Sequence, residues 1–245
     1  MNTPERKPAL ALITGGAHRL GGAIARALAA RYQALGLHYH TSEDEAHALA
    51  EELSAQGCQV TLLQADLRDP QQIADMFARL ASSPLPLQVL VNSAGRMARG
   101  DLRTLSVDEW DEIMAINLRA PWLCAQQAAP LMAVSGGAIV NISDAGAGHT
   151  WTGYPAYILS KDALTSLTRL LARALAPAIR VNAIAPGLVL PSADLSPEQW
   201  QKLVQRVPLR RPATPEEIAA GVLFLVEHPY VTGQVLAIDG GYQLV

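Results

Sequence analysis

Tyr157 and Lys161 are the residues whose types and spacing first suggest chemistry. They stand four positions apart in the segment 154–176, whose pattern predicts a long helix, so both side chains project from one face. A free phenol has a pKa of about 10, and a neighbouring ammonium favours the phenolate and brings that pKa toward neutrality. The pair is therefore a candidate proton donor. An ordinary surface contact between two helix residues is the competing interpretation.

Apolar, β-forming runs alternate with helical patterns along the 245 residues, an order typical of a parallel sheet covered by helices on both faces. The predicted strands are 9–14, 36–40, 59–65, 87–92, 137–142, 179–185 and 234–238. We expect an α/β fold: a single doubly wound Rossmann domain over 1–245, with a seven-stranded parallel sheet and helices on both faces. Residues 1–8 are predicted to be a flexible terminus, and 186–206 a mobile substrate loop and helix. Capping-box patterns predict helix starts at Ser42, Ser106, Ser196 and Thr214.

The composition argues against several partners. The formal net charge is only -3 and the basic residues are scattered, so neither nucleic acid nor an anionic membrane surface is expected. Cys58 and Cys124 lack metal-ligand spacing and are predicted to be buried thiols, with no metal site. No apolar run is long enough to span a bilayer, and the polar start is unlike a signal peptide. We expect a soluble, cytoplasmic protein.

A glycine-rich turn follows the first strand. The sequence from Thr14 to Gly22 is TGGAHRLGG, and an amphipathic helix pattern continues to Tyr32. Glycines let the backbone approach a pyrophosphate, whose charge the N-terminus of the helix stabilises. A plain tight turn is the competing interpretation, but the surrounding βαβ pattern favours a dinucleotide.

The residue at the end of the second strand faces the adenosine ribose in such folds and distinguishes the two nicotinamide cofactors. An NAD site places an acid there, whereas this chain has His40, followed by Thr41 and Ser42. Arg19 in the turn could bind a phosphate. NADPH is therefore predicted. Asp66 would accept a hydrogen bond from the adenine amino group, or would cap the following turn.

The motifs occur in the order found in short-chain dehydrogenase/reductases, which the chain resembles over nearly its whole length. They are the glycine turn, Asn92-Ser93-Ala94-Gly95, Asn117, Tyr157-x-x-x-Lys161 and Pro186-Gly187. The resemblance implies that Tyr157 donates a proton, Lys161 binds the nicotinamide ribose and tunes the phenol, and Asn117 holds a water that links Lys161 to solvent. The cofactor contacts expected besides Tyr157 and Lys161 are Gly15, His18, Arg19, Leu20, His40, Thr41, Ser42, Asp66, Leu67, Asn92, Ser93, Ala94, Pro186 and Gly187.

Two departures from the family pattern resemble the pteridine reductases. Arg19 stands where most members have glycine, and Asp144 replaces the serine thirteen positions before Tyr157. The segment 37–40 and the ending DGGYQL are also similar to those enzymes. An ionised carboxylate is a poor partner for a carbonyl oxygen that gains negative charge, but it suits proton delivery to a ring nitrogen. A turn cap near Gly146 is the competing interpretation of Asp144.

We therefore predict an NADPH-dependent pteridine reductase that acts on dihydrobiopterin, dihydromonapterin or a related pterin or folate. Against this, Met97 stands where those enzymes usually have an aromatic ring, Gly95-Arg96 replaces a common serine pair, and Thr41 replaces a basic residue. A reductase of carbonyl or 3-oxoacyl substrates is the alternative. A non-catalytic NADP(H) sensor is a third hypothesis.

The remaining expectations concern the pocket and the assembly. Met97, Trp151, Tyr154 and Leu188 are predicted to line the substrate pocket, although core packing at helix ends explains the last three equally well. The resemblance implies a homotetramer that packs helices in 105–134 and 154–176 against their symmetry mates. The second helix carries more apolar surface than one sheet face needs, at Leu164, Leu167, Leu170 and Leu171.

Overall fold

The computed structural model describes residues 6–192 and 195–245 and shows a seven-stranded, fully parallel sheet. The strands are β1 (Lys7–Thr14), β2 (Tyr32–Tyr39), β3 (Gln59–Gln64), β4 (Leu87–Asn92), β5 (Gly137–Ile142), β6 (Ile179–Pro186) and β7 (Val235–Ile238). Their order across the sheet is β3-β2-β1-β4-β5-β6-β7. The predicted doubly wound fold is confirmed.

Helices cover both faces of this sheet. They are α1 (Arg19–Ala29), α2 (Glu43–Ala55), α3 (Pro70–Ala81), α4 (Val107–Met114), α5 (Ala120–Met132), α6 (Pro155–Leu175), α7 (Pro197–Val204) and α8 (Pro215–Glu227). Apolar residues of α1, α2 and α8 pack on one face, and those of α3, α5 and α6 pack on the other. The strands are therefore buried on both sides, which explains why most lack strict apolar and polar alternation.

The strand order reverses between β1 and β4, which are neighbours in the sheet and pair Thr14 with Asn92 at their carboxyl ends. The connections that leave these two ends run in opposite directions. In open α/β sheets a crevice forms at this point and receives the ligand. The glycine turn and the segment after β4 both begin there.

Two boundaries differ from the predictions near the N-terminus. Lys7 and Pro8 belong to β1, where the Lys7 N–H bonds to the Arg31 carbonyl, so they are not part of a flexible terminus. The first helix ends at Ala29 and β2 begins at Tyr32, whose side chain is buried. The helical pattern continues to Tyr32, but pairing with β1 places Tyr32 in β2. This strand therefore starts at residue 32, four positions before the predicted start at 36.

Three of the four capping boxes predicted from the sequence are present. Complete capping boxes begin α4, α7 and α8, but Ser42 before α2 makes no side-chain cap bond. Its ψ of 61° departs from the extended conformation that the other three cap residues adopt. Both cysteines are buried free thiols. No helix within the described ranges is long and apolar enough to cross a bilayer.

Candidate active site

The glycine turn holds the backbone of β1 against the segment after β4. Gly15 has a φ of +63°, and a Cβ added there would lie 2.8 Å from the Cα of Ala94. A Cβ on Gly21 would overlap the Gly15 carbonyl oxygen. Side chains at these two positions are therefore excluded by backbone neighbours. The surface above the turn stays open, as the approach of a pyrophosphate requires.

His38 fastens this turn to the sheet. Its Nδ1 accepts the Gly15 N–H at 2.9 Å, and its Nε2 donates to the Ala65 carbonyl at 3.0 Å. Both bonds require the neutral ring protonated at Nε2. Burial lowers the pKa of His38 from 6.5 to about 4, an effect that the bond to Ala65 only partly opposes. The ring therefore remains neutral near pH 7 and keeps an acceptor for Gly15.

This histidine predicts a pH dependence of stability. Because the folded pKa is about 4 and the unfolded value about 6.5, the unfolded chain binds more protons between these values. Stability is full above pH 6.5 and falls as the pH drops toward 4, by about 3 kcal/mol in total. His38→Phe, which cannot titrate, should flatten this part of the profile in thermal unfolding scans. His47→Gln, at an exposed site on α2, serves as the control, and an unchanged slope in His38→Phe would contradict the assignment.

The cleft above the turn has a volume of about 610 Å³ and collects most of the residues predicted to bind a cofactor. Its lining includes Gly15, His18, Arg19, Leu20, His40, Thr41, Ser42, Asp66, Leu67, Ser93 and Ala94. Asp66 is bound through both carboxylate oxygens by Arg68, which lowers its pKa, and His40 lies 3.9 Å away. Asp66 also accepts the Arg68 N–H, so the turn-capping interpretation holds in this structure.

Two residues predicted to contact the cofactor are buried and do not line the cleft. Asn92 is buried at the end of β4, and its amide donates to Asn141 Oδ1 of β5 at 2.8 Å. Pro186 is buried at the end of β6, where its carbonyl accepts the Ala145 N–H. Neither residue lines the cleft, and their contact with the cofactor stays a prediction. Gly187, the next residue after Pro186, does reach a cavity surface.

Asp144 and Tyr157 form the centre of the site. The Tyr157 hydroxyl donates to Asp144 Oδ2 at 2.5 Å, while Oδ1 accepts the Gly146 N–H at 2.6 Å. One carboxylate thus both caps its turn and holds the phenol, so the two interpretations of Asp144 are compatible. The neighbouring Ser143 cannot substitute for the missing family serine, because its hydroxyl bonds to the Lys161 carbonyl and contacts Thr165.

The protonation of this pair differs from the prediction. Burial raises the pKa of the Tyr157 phenol well above 10, and the Asp144 carboxylate raises it further. Burial also raises the pKa of Asp144, against the opposing bond from Tyr157 and the charge of Lys161. The expectation that Lys161 lowers the phenol pKa is wrong here, because the charge that contacts the hydroxyl is negative. The phenol retains its proton.

Lys161 is buried beneath the pair. Its Nζ donates to the Ile142 carbonyl at 2.7 Å and lies 5.9 Å from the centre of the Tyr157 ring. Burial lowers the pKa of this ammonium to about 8, although the charge of Asp144 opposes the change. The amine therefore has no hydrogen bond to the phenol, and it titrates close to neutral pH.

Asn117 lies in a π-helical turn, 115–119, between α4 and α5. Its Oδ1 accepts the Arg96 N–H at 2.8 Å, and its Nδ2 donates to the Arg96 carbonyl at 2.9 Å and to Ser160 Oγ at 3.0 Å. A Cβ added to Gly95 would lie 3.4 Å from Asn117 Oδ1 and 3.5 Å from Lys161 Nζ. Gly95 thus keeps the space between these two polar groups open.

A second cavity, of about 540 Å³, opens above Asp144 and Tyr157. All four residues predicted for the substrate pocket line it, namely Met97, Trp151, Tyr154 and Leu188. Met97 is 40% exposed and so is available to a ligand. Trp151 also covers Gly146, where an added Cβ would lie 2.5 Å from the indole ring. Packing and pocket formation therefore coincide at Trp151.

Sequence reasoning missed part of this wall. Tyr242 contacts the Trp151 ring edge to face, with a centroid distance of 6.0 Å. The cavity is also lined by Arg99, Trp200, Leu203 and Arg206. The ending DGGYQL gave a signal for Tyr242 through family resemblance. The other four residues come from irregular segments or a short helix, where no periodicity marks the side that faces a ligand.

Comparisons with known proteins agree with this geometry. A family model described as enoyl-(acyl carrier protein) reductase matches residues 15–243. The chain is 32% identical over 237 residues to the 3-oxoacyl-[acyl-carrier-protein] reductase FabG of Staphylococcus aureus, covering 94% of this chain and 96% of that protein. The crystal structure of FolM alternative dihydrofolate reductase 1 from Brucella suis in complex with NADP superposes with a TM-score of 0.92. It is 34% identical, with 97% of this chain and 96% of that one covered.

The corresponding protein from Brucella canis, also complexed with NADP, has a TM-score of 0.89 at 34% identity, over 97% of this chain and 95% of that one. A doubly wound sheet, a glycine turn at its crevice and a buried tyrosine and lysine one helical turn apart define a nucleotide-dependent oxidoreductase. The chain belongs to the short-chain dehydrogenase/reductase family.

Proposed function

We propose that the protein reduces a C=N bond of a dihydropterin or a related pterin or folate with NADPH. The observation that carries this proposal is the buried Asp144 carboxylate bonded to the Tyr157 hydroxyl. A negative group at this position disfavours a carbonyl oxygen that accumulates negative charge, whereas it stabilises N–H groups and protonated nitrogens of a heterocycle. The similarity to two dihydrofolate reductases supports the same substrate class.

NADP(H) fits the cleft. The open glycine turn suits a pyrophosphate, and His40, Thr41 and Ser42 place polar side chains without a carboxylate where an NAD site carries an acid. The side chain of Arg19 lines this cleft and adds a positive charge beside it. Both Brucella structures contain NADP. When bound, NADPH supplies the hydride that forms the new C–H bond.

The chain's own residues supply the proton. Reduction converts C=N to CH–NH, so one proton must reach the nitrogen for each hydride that reaches the carbon. Tyr157 can donate this proton because burial and Asp144 keep the phenol protonated. Proton donation leaves a phenolate. The Asp144 carboxylate, whose pKa is raised by burial and which lines the cavity, can take up a proton from solvent water and pass it to the phenolate oxygen along the line of their hydrogen bond.

Lys161 and Asn117 connect this pair to the rest of the site. We infer that the Lys161 ammonium, with its pKa of about 8, orients the ribose of the nicotinamide and offsets the charge left after proton donation. Asn117 positions the backbone of Arg96 beside Gly95, which borders Lys161. A water held in this space would replenish the proton.

The test is turnover by the purified protein. With dihydrobiopterin and dihydrofolate as acceptors, we expect consumption of NADPH, followed by its absorbance, and the tetrahydro product by chromatography. NADH should be a poorer donor, because His40 stands after β2 at the position where an NAD site carries an acid for the ribose hydroxyl. Absence of turnover with every pterin and folate tested would refute the substrate class.

Reduction of a 3-oxoacyl thioester is the second candidate. The similarity to the Staphylococcus aureus reductase favours it, as does Met97, which gives the cavity a flexible apolar side chain in place of a ring. Asp144 is the observation against it. Parallel assays with a 3-oxoacyl thioester and a dihydropterin decide between the two, and the larger kcat/KM identifies the substrate class.

We expect Arg19 to lower the stability of the fold while it strengthens the binding of NADPH. Its φ of +51° is a left-handed conformation that costs a non-glycine residue about 1–2 kcal/mol, and its guanidinium donates to the Pro191 carbonyl at 3.1 Å. Arg19→Gly should keep or slightly raise the melting temperature while raising the KM for NADPH about tenfold, because a charged donor is lost. Arg210→Gly is the matched control, since Arg210 has a φ of +55° but lies outside both cavities. Equal KM values in the two variants would contradict a role for Arg19.

We also expect a homotetramer. Trp122 of α5 and Leu170 of α6 are 44% and 67% exposed, and a surface hollow of about 710 Å³ is lined by Leu118, Trp122 and Leu167. Leu164, in contrast, is buried in the core of the single chain and is not available to an interface. Light scattering should give four times the chain mass, and Leu170→Glu should reduce it. A wild-type protein with the mass of one chain would contradict this prediction.

A further inference from the structure

The charges around the substrate cavity are unevenly distributed. Among the described residues, Asp144 on the floor is the only acid in its lining, whereas Arg19, Arg99 and Arg206 contribute three positive charges. Asp144 and Tyr157 are largely buried, while Arg99 and Arg206 are exposed. The positive charge of the last two arginines therefore lies toward the opening of the cavity, away from the reacting groups.

Arg99 is held in place without an acidic partner. Its guanidinium carbon lies 5.5 Å from the centre of the Tyr154 ring, within the range of a cation–π contact. Its neighbours in the same segment are paired: Arg96 with Glu112 at 2.9 Å and Arg103 with Asp101. Within residues 6–192 and 195–245, the side chain of Arg99 forms no ion pair or hydrogen bond. Its donors are thus oriented and available.

Arg206 approaches the cavity from a different element. Arg206 lies just after the end of α7. Burial and the charge of Asp144 raise the pKa of Tyr242, and the positive charge of Arg206 opposes this rise. Within the described residues, the guanidinium of Arg206, like that of Arg99, forms no ion pair or hydrogen bond. The cavity wall carries large apolar groups from Leu188, Trp200 and Leu203. This lining suits an aromatic spacer that leads from the floor to an anionic group.

We propose that Arg99 and Arg206 bind a carboxylate-bearing extension of the substrate, so that the site selects pteridines with an anionic tail over unconjugated pterins. The proposal rests on the proposed function, because it assumes that the heterocycle occupies the floor beside Asp144. Arginine forks bind carboxylates through paired, charge-assisted hydrogen bonds. The two arginines are therefore specificity-determining residues outside the catalytic pair.

The test compares two substrates that share a reacting ring. Dihydrofolate carries an aromatic spacer and a glutamate, whereas dihydrobiopterin has a short neutral side chain. For Arg99→Gln/Arg206→Gln, the ratio of kcat/KM for dihydrofolate to that for dihydrobiopterin should fall about ten- to hundredfold, mostly through the KM for dihydrofolate. Arg99→Lys/Arg206→Lys should recover part of this ratio. Arg103→Gln, which removes an exposed arginine paired to Asp101, serves as the control.

Binding provides a second readout that does not depend on turnover. Trp151 and Trp200 line the cavity, so quenching of their fluorescence should report occupation by oxidised folate or by biopterin. The double glutamine variant should lose affinity for folate selectively, and added salt should weaken folate more than biopterin. If the wild-type enzyme reduces neither dihydrofolate nor dihydrobiopterin, the proposed function fails. If it reduces both and the variant changes both equally or neither, the arginine proposal alone is overturned.

Discussion

Tyr157→Phe should lower kcat for a dihydropterin by about 10²–10⁴-fold, because it removes the group that delivers the proton. The substitution deletes one oxygen and retains the ring, which packs in the small apolar cluster with Ile113 and Ile158. The fold and the affinity for NADPH should therefore be preserved. Cofactor fluorescence titration and a thermal melt establish both points, and stopped-flow measurement of NADPH oxidation gives the loss in rate.

The control is Tyr230→Phe, because the Tyr230 side chain is 96% exposed and outside both cavities. It should leave kcat unchanged. A Tyr157→Phe enzyme that retains more than about a tenth of the wild-type rate would show that another group donates the proton. Asp144 would then be the first candidate, since burial raises the pKa of its carboxyl and its Oδ2 lies 2.5 Å from the phenol oxygen.

Asp144→Ser should change the preferred substrate. A serine hydroxyl can donate to a carbonyl oxygen that becomes negative, whereas the carboxylate repels that charge. We expect kcat/KM for a dihydropterin to fall about hundredfold and kcat/KM for a 3-oxoacyl thioester to rise about tenfold, changes that each correspond to the loss or gain of one charged or neutral hydrogen bond. The two rates are measured on the same preparation.

Asp144→Asn separates charge from shape. Its single amide oxygen can still accept the Gly146 N–H, but an NH2 group, which donates and cannot take up a proton, replaces the oxygen that accepts from the phenol. Pterin reduction should therefore fall nearly as far as in the serine variant. Asp108→Ser, at an exposed position in the first turn of α4, controls for loss of a negative charge elsewhere. Should Asp144→Asn retain full pterin turnover, the carboxylate would have no part in proton delivery.

Several of these elements could be read from the sequence because local rules decide them. The i, i+4 spacing placed Tyr157 and Lys161 on one helix face, and three capping boxes marked helix starts that the structure shows. The order of strands and helices predicted the parallel sheet, and the sheet in turn brought the glycine turn to the crevice.

Other features depend on contacts between distant segments, and sequence patterns do not record these. Burial raises the pKa of Tyr157, and the Asp144 carboxylate at its hydroxyl raises it further; sequence patterns carry no measure of that burial. Asn92 belongs to a family motif, yet its side chain turns to Asn141 on the next strand. Arg99 and Arg206 meet at one cavity from segments more than a hundred positions apart.

Among the described residues, the side chain of Asn117 hydrogen-bonds to the segment after β4 through the N–H and C=O of residue 96. These bonds depend on the backbone conformation at residue 96 and not on which side chain it carries. The positions just beyond it, including 97 and 99, are consequently free to exchange side chains while their path over the cavity stays the same. New substrates can therefore be accommodated by mutation on this arm, with the proton-transfer apparatus left undisturbed.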